Sequence, residues 1–172
     1  MKLHIGGKEV HPDWKIFDIE QRPEVDYIGD AGDLSQFEDE SIEIIYVSHV
    51  LEHFYHSLHN EMIFTLAEWH RVLKQGGQLM ISVPDLQTLC WLYSRPDLEV
   101  EPRLHIMRMI FGGQVNQYDV HKAGLDYEIL RLYLAQVGFS QCQRVPTFDL
   151  FNDCSSLQFM GNLISLNVIA IK

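Results

Sequence analysis

Ile42–Pro84, IEIIYVSHVLEHFYHSLHNEMIFTLAEWHRVLKQGGQLMISVP, reads as strand, helix, strand. Ile42 to Val47 is a compact β-branched run with no strict alternation, the pattern of a parallel strand buried on both faces. From Glu61 to Lys74 the apolar residues Met62, Leu66, Trp69 and Leu73 recur at helical spacing, and Gly76-Gly77 is expected to stop the helix. Leu79 to Val83 returns to β pattern and ends at Pro84, which has no N–H for a sheet ladder. Together these segments form a βαβ unit at the centre of a parallel sheet.

Outward from that unit, Lys2 to Ile5 and Trp14 to Ile19 read as strands, with Tyr27-Ile28 a weaker third. Downstream, Asp85 opens a helix running to about Tyr93, Leu104 to Phe111 reads as another, and Asp126 caps a helix closed by Gly138. Strands are expected near Cys142 to Val145 and from Leu163 to Ile171, the last returning antiparallel. The expected fold is therefore α/β, a Rossmann-like, mostly parallel sheet with helices on both faces and an antiparallel C-terminal strand. It forms a single domain over residues 1–172, with 86–125 a candidate lid.

Composition narrows the function. The chain has 172 residues, 47% of them hydrophobic and 22% charged, proportions that exclude disorder and a disulfide miniprotein. A formal charge of −11 would repel a phosphate backbone, so nucleic acid is not an expected partner. The cysteines, Cys90, Cys142 and Cys154, have no CxxC spacing and suit a reducing cytoplasm. No export segment and no apolar run of the ~18 residues that a membrane helix needs is visible.

In open α/β sheets ligands bind beyond the carboxyl ends of the strands, where the strand order reverses. That rule selects Gly6-Gly7, Asp18, Asp30-Ala31 and Ser48-His49, each just after an apolar segment.

Here the residues resemble a known family. Asp39 to His53, DESIEIIYVSHVLEH, is similar to the fourth strand and following segment of small S-adenosylmethionine-dependent methyltransferases of the Rossmann-like class I, type 11 style. Arg71 to Asp85, RVLKQGGQLMISVPD, resembles their helix, double glycine and fifth strand. FGGQ at Phe111 to Gln114, YDVHKAG at Tyr118 to Gly124 and ISLNV at Ile164 to Val168 resemble a bacterial subgroup of predicted methyltransferases. The resemblance implies S-adenosylmethionine as cofactor. Gly6 and Gly7 would approach its methionine portion, and Asp18, followed by Ile19, would accept from the ribose hydroxyls. Asp30 and Ala31 would border the adenine, with Ser48, His49 and Val50 on the other side. The family commonly writes GxGxG and a helix after the first strand. Here Lys8 to Lys15 leave no room for a helix of ordinary length.

Methyl transfer from a sulfonium requires alignment of donor and acceptor and, for some acceptors, removal of a proton. His121, in the Tyr118–Lys122 loop, and Glu52 are the candidate catalytic groups; the acceptor, a small molecule or a protein, is not legible. Two alternatives stand beside this reading. His49-Val50-Leu51-Glu52-His53 matches the HxxEH arrangement of zinc hydrolases, although no metal is expected because no third ligand is singled out. The shortened first loop also fits a noncatalytic module with the methyltransferase fold.

Overall fold

The computed structural model describes residues 1–172. In chain order its elements are β1 (Lys2–Ile5), β2 (Trp14–Asp18), β3 (Tyr27–Ile28), β4 (Ile42–Ser48), α1 (Glu61–Val72), β5 (Leu73–Pro84), α2 (Leu86–Tyr93), α3 (Val100–Phe111), α4 (Tyr127–Gln136), β6 (Gln141–Val145), β7 (Gln158–Phe159), β8 (Asn162–Leu163) and β9 (Ser165–Ile171). Seven strands form one sheet in the order β3-β2-β1-β4-β5-β9-β6, and β7 and β8 form a separate pair. The first five strands run parallel, and β9 lies antiparallel between β5 and β6. Strand order reverses between β1 and β4, which opens a crevice at their carboxyl ends. No helix is long and apolar enough to cross a membrane.

Alternate residues of each central strand go to opposite faces. Leu3, Ile5, Ile45, Val47, Leu79, Ile81, Leu166 and Val168 join the main core with Met62, Leu66 and Trp69 of α1 and Leu130 and Leu134 of α4. Trp69 also donates its indole N–H to the carbonyl of Ala31 at 2.8 Å, fixing the loop after β3 on the crevice rim. The other face over β1, β2 and β4 is closed without a helix. His4, Trp14 and Tyr46 pack there against Phe151, with Phe148 and Leu150 beside them. Asn167 of β9 anchors that covering segment by donating to the carbonyls of Pro146 and Ser155.

Two helix boundaries depart from the sequence reading, and the strand expected from Leu163 begins at Ser165, Leu163 belonging to β8. The helix predicted to reach Lys74 ends at Val72, because Leu73 is extended (φ −69°, ψ 138°) and already pairs with Ile42. Gly76-Gly77 therefore lies inside β5, where the register with β4 shifts, and Gly76 takes φ +73°. The helix read from Leu104 starts at Val100 and carries Pro102 in its first turn, where no backbone donor is required. Asp126 caps α4 as expected, accepting from the Ile129 N–H at 2.9 Å.

Candidate functional site

The corner after β1 makes its turn with residues 6–13, and no helix forms there. Gly6 adopts φ +74°, and a Cβ at this position would lie 2.8 Å from Val50 Cγ2, so the two strand ends approach as only glycine permits. Gly7 is buried behind the His4 ring, away from the cavity surface, where an added Cβ would meet the ring at 2.6 Å. Its carbonyl accepts from Arg22 Nη2 at 2.8 Å. The same nitrogen reaches Asp18 Oδ2 at 3.0 Å, while Asp18 Oδ1 accepts from the Glu20 N–H at 2.8 Å. Arg22 thus ties the glycine corner to the acid at the end of β2 and holds that carboxylate in place.

A cavity of about 670 Å³ opens above these strand ends, within the range of small-molecule sites. Gly6, Asp18, Ile19, Ser48, His49 and Val50 all border it. A second chamber of about 710 Å³ adjoins it and carries Asp30. Ile19, Ala31, Val50, His53 and Tyr118 face both chambers. Asp18 and Asp30 consequently flank one cleft from neighbouring chambers. Asp30 is exposed and accepts from the Gly32 N–H at 2.8 Å.

The residues present fit an adenosyl cofactor. Gly6 leaves a cradle that a side chain would fill, the Asp18 carboxylate borders the hollow, and the buried Ser48 hydroxyl beside it has no hydrogen-bond partner. Sequence reasoning missed Arg22, which lies in the turn beyond β2. It also missed His4 and the segment Phe151–Cys154, which form much of the remaining cavity wall. Nothing local in a polar stretch so distant along the chain signals that placement.

Beyond β4 the chain turns sharply. His49 takes φ +56°, and Leu51–His53 make a single 3-10 turn. His49 and His53 therefore do not share the α-helical turn that the hydrolase motif requires. His49 instead places Nε2 2.9 Å from Ser165 Oγ and Nδ1 3.3 Å from Glu52 Oε1. Glu52 is 2% exposed, and neither carboxylate oxygen makes a hydrogen bond of acceptable geometry. Burial pushes its pKa up, but His49, His53 and His121 around it outweigh burial and bring it below the ordinary value.

His121 reaches this group from the loop after α3, with Nε2 3.8 Å from Glu52 Oε1 and its ring 5.0 Å from that of His53. Burial lowers its pKa against the pull of Glu52. His121 does not border the cofactor chambers, as a loop closing over them would suggest. It faces a third, mainly apolar cavity of about 570 Å³ between α2, α3 and residues 121–124. Part of the segment read as a lid does reach the crevice: Tyr118 borders both chambers, and Gln117, Val120 and Lys122 the second.

The chain matches the methyltransferase domain family over residues 14–81, from β2 into β5. The corner after β1 lies outside that match. No curated protein sequence matches the chain. Among solved structures, a methyltransferase of Thermotoga maritima described as a possible histamine N-methyltransferase is 18% identical, with a TM-score of 0.64 over 99% of this chain and 81% of that one. An S-adenosylmethionine-dependent methyltransferase of Archaeoglobus fulgidus is 17% identical, with a TM-score of 0.61 over 99% and 85%. The CurJ carbon methyltransferase is 16% identical, with a TM-score of 0.58 over 99% and 47%. At these identities the likeness is one of fold, and it spans proteins described for nitrogen and for carbon acceptors.

Proposed function

We infer that the chain, whose residues 14–81 match the methyltransferase domain family and whose fold is that of the class I, Rossmann-like methyltransferases, takes S-adenosylmethionine as its cofactor and carries out a methyl transfer at the crevice between β1 and β4. The cofactor supplies an electrophilic methyl group on a sulfonium. Asp18, oriented by Arg22, accepts from the ribose hydroxyls. Ile19, Ala31 and Val50 enclose the adenine, with Asp30 at its edge. Gly6 and Ser48 border the methionine portion, where Glu9 and Asp153 on the cavity wall favour a cation.

The acceptor, a small molecule or a protein side chain, uses the apolar cavity beside His121. Glu52 and His121 then handle its proton. Residues 117–122 shield the crevice from water. The three free thiols suit a reducing, cytoplasmic setting. The observation that carries this reading is an open cleft at the strand-order reversal, with the tethered Asp18 carboxylate on its wall.

The test is calorimetric binding of S-adenosylhomocysteine together with thermal shift. A ligand bound only by the folded state raises the melting temperature. Asp18→Ala is expected to weaken binding about 10–100-fold, the scale of losing hydrogen bonds to a charged group. Absence of binding by the wild-type protein would overturn the reading.

A further inference from the structure

We propose that Glu52, His53 and His121 form a binding site for a divalent transition-metal ion of the zinc type. One carboxylate oxygen and two imidazole nitrogens from these residues lie within 4.8 Å of one another. Tetrahedral ligands on an ion with bonds of ~2.0–2.2 Å stand roughly 3.3–3.6 Å apart. The 3.8 Å between Glu52 Oε1 and His121 Nε2 is a few tenths of an ångström wider. Small side-chain rotations bring the ligand atoms into range.

Hydrogen bonding around the cluster leaves lone pairs turned inward and no neutral neighbour to satisfy them. His53 Nδ1 lies 3.0 Å from the Val120 carbonyl and must donate to it, so Nε2 of the neutral ring is left with its lone pair. Donation from the distal nitrogen to a backbone carbonyl is the support that metal-binding histidines usually have. The single proton of Ser165 goes to the Cys154 carbonyl at 2.7 Å, so Ser165 Oγ accepts from His49 Nε2 at 2.9 Å. A neutral His49 therefore turns the Nδ1 lone pair toward Glu52 Oε1 at 3.3 Å, acceptor facing acceptor. Both Glu52 oxygens are buried without a hydrogen bond. A buried carboxylate requires a paired charge or a metal, and the group that this arrangement lacks is a cation.

The backbone holds the three ligands together. The Glu52 carbonyl accepts from Lys122 N at 2.8 Å and Ala123 N at 3.2 Å, and His121 N donates to the Phe111 carbonyl at 3.1 Å. The mixed donor set favours zinc, ferrous iron or cobalt over magnesium or calcium, which prefer oxygen. Three protein ligands leave a coordination position for water or an acceptor oxygen, as in catalytic zinc sites. The set differs from the HxxEH pattern, because His49 lies outside it and His121 supplies the third ligand. Binding of the ion is measured without reference to methyl transfer; with the ion bound, Glu52 and His121 act on the acceptor's proton through the metal, and that use, polarisation of an acceptor hydroxyl, rests on the methyl-transfer reading.

The experiment uses the full chain without a histidine tag, stripped with a chelator and titrated with Zn²⁺ against a chromogenic competitor. One equivalent is expected to bind. His53→Ala and His121→Ala should each weaken it at least ~100-fold, since loss of outer-shell support alone costs about 10–100-fold. His56→Ala and His59→Ala should bind as the wild type does. Circular dichroism establishes that each variant is folded, and Glu52→Gln replaces any that is not. Failure of the wild-type protein to take up zinc overturns the proposal and leaves a proton as the missing cation. Uptake unchanged in the His53 and His121 variants overturns it equally. Neither outcome touches S-adenosylhomocysteine binding, which is measured on the same wild-type sample.

Discussion

After β1, Arg22 makes four hydrogen bonds, to Gly7, Asp18, Glu20 and Glu24, and closes a turn that has no helix to stiffen it. After β4, on the same crevice, the Ser48 hydroxyl and both Glu52 oxygens are buried without a partner. The first corner, the buried His4 Nδ1 apart, is completed by its own side chains and serves as a scaffold. The second leaves polar groups unsatisfied, a cost that a fold retains where a ligand or a reaction uses them. A scaffold corner should respond to mutation through stability and cofactor affinity, whereas the unfinished corner should respond through turnover.

The sharpest break of this contrast is at Glu52. Glu52→Gln keeps the shape of the side chain and removes its charge, so the fold and the cofactor cleft should persist. Turnover, followed as transfer of a labelled methyl group from S-adenosylmethionine, should fall about 10²–10⁴-fold, the usual contribution of a proton-handling group. If methyl transfer survives at wild-type rate, Glu52 plays no part in the reaction and its burial is structural.

The difference between the corners also explains what the sequence discloses. β4, α1 and β5 were legible because a run of β-branched residues and a 3.6-residue stripe are local signals, and because their order permits few topologies. Gly6, Asp18 and Ser48 followed from the strand ends alone, whereas Val50 came only with the family resemblance. Arg22 was not legible, since its role depends on how the turn after β2 folds back over Gly7. The meeting of Glu52 with His121 was hidden for a different reason: it joins residues far apart in the chain through a loop with no periodicity. Phe151 takes the place of a helix on the second face, and a single aromatic in a polar stretch carries no mark of that.

The scaffold corner should betray itself in acid. His4 is 3% exposed and stacks on Phe151 at 4.1 Å between ring centroids. Burial lowers its pKa to about 4, against the opposing pull of Asp153, Glu9 and Asp18. Between pH 6.5 and 4 the unfolded chain therefore binds a proton at this site that the folded chain refuses, and stability falls as pH falls. At about 1.4 kcal/mol per pH unit the loss approaches ~3 kcal/mol near pH 4 and is absent above the unfolded pKa. Urea melts across this window should show His4→Phe declining less steeply than the wild type. Parallel slopes would mean that His4 is charged in the folded protein.

The smallest effect probes the point where the corners touch. Gly6→Ala places an L residue at φ +74° and a Cβ 2.8 Å from Val50 Cγ2. The left-handed conformation costs roughly 1–2 kcal/mol, and the clash adds to it because the branched valine has little rotamer freedom with which to withdraw. Val50→Ala removes the obstructing methyl but leaves the backbone cost. In a double-mutant cycle the pair should therefore be less destabilised than the sum of the single variants, by about 0.5–1 kcal/mol. The same cycle read in S-adenosylhomocysteine affinity should show coupling of the same sign, because both residues border the first chamber. Strict additivity in both readouts would mean that the corners move independently, and that the glycine is required for its backbone angle alone.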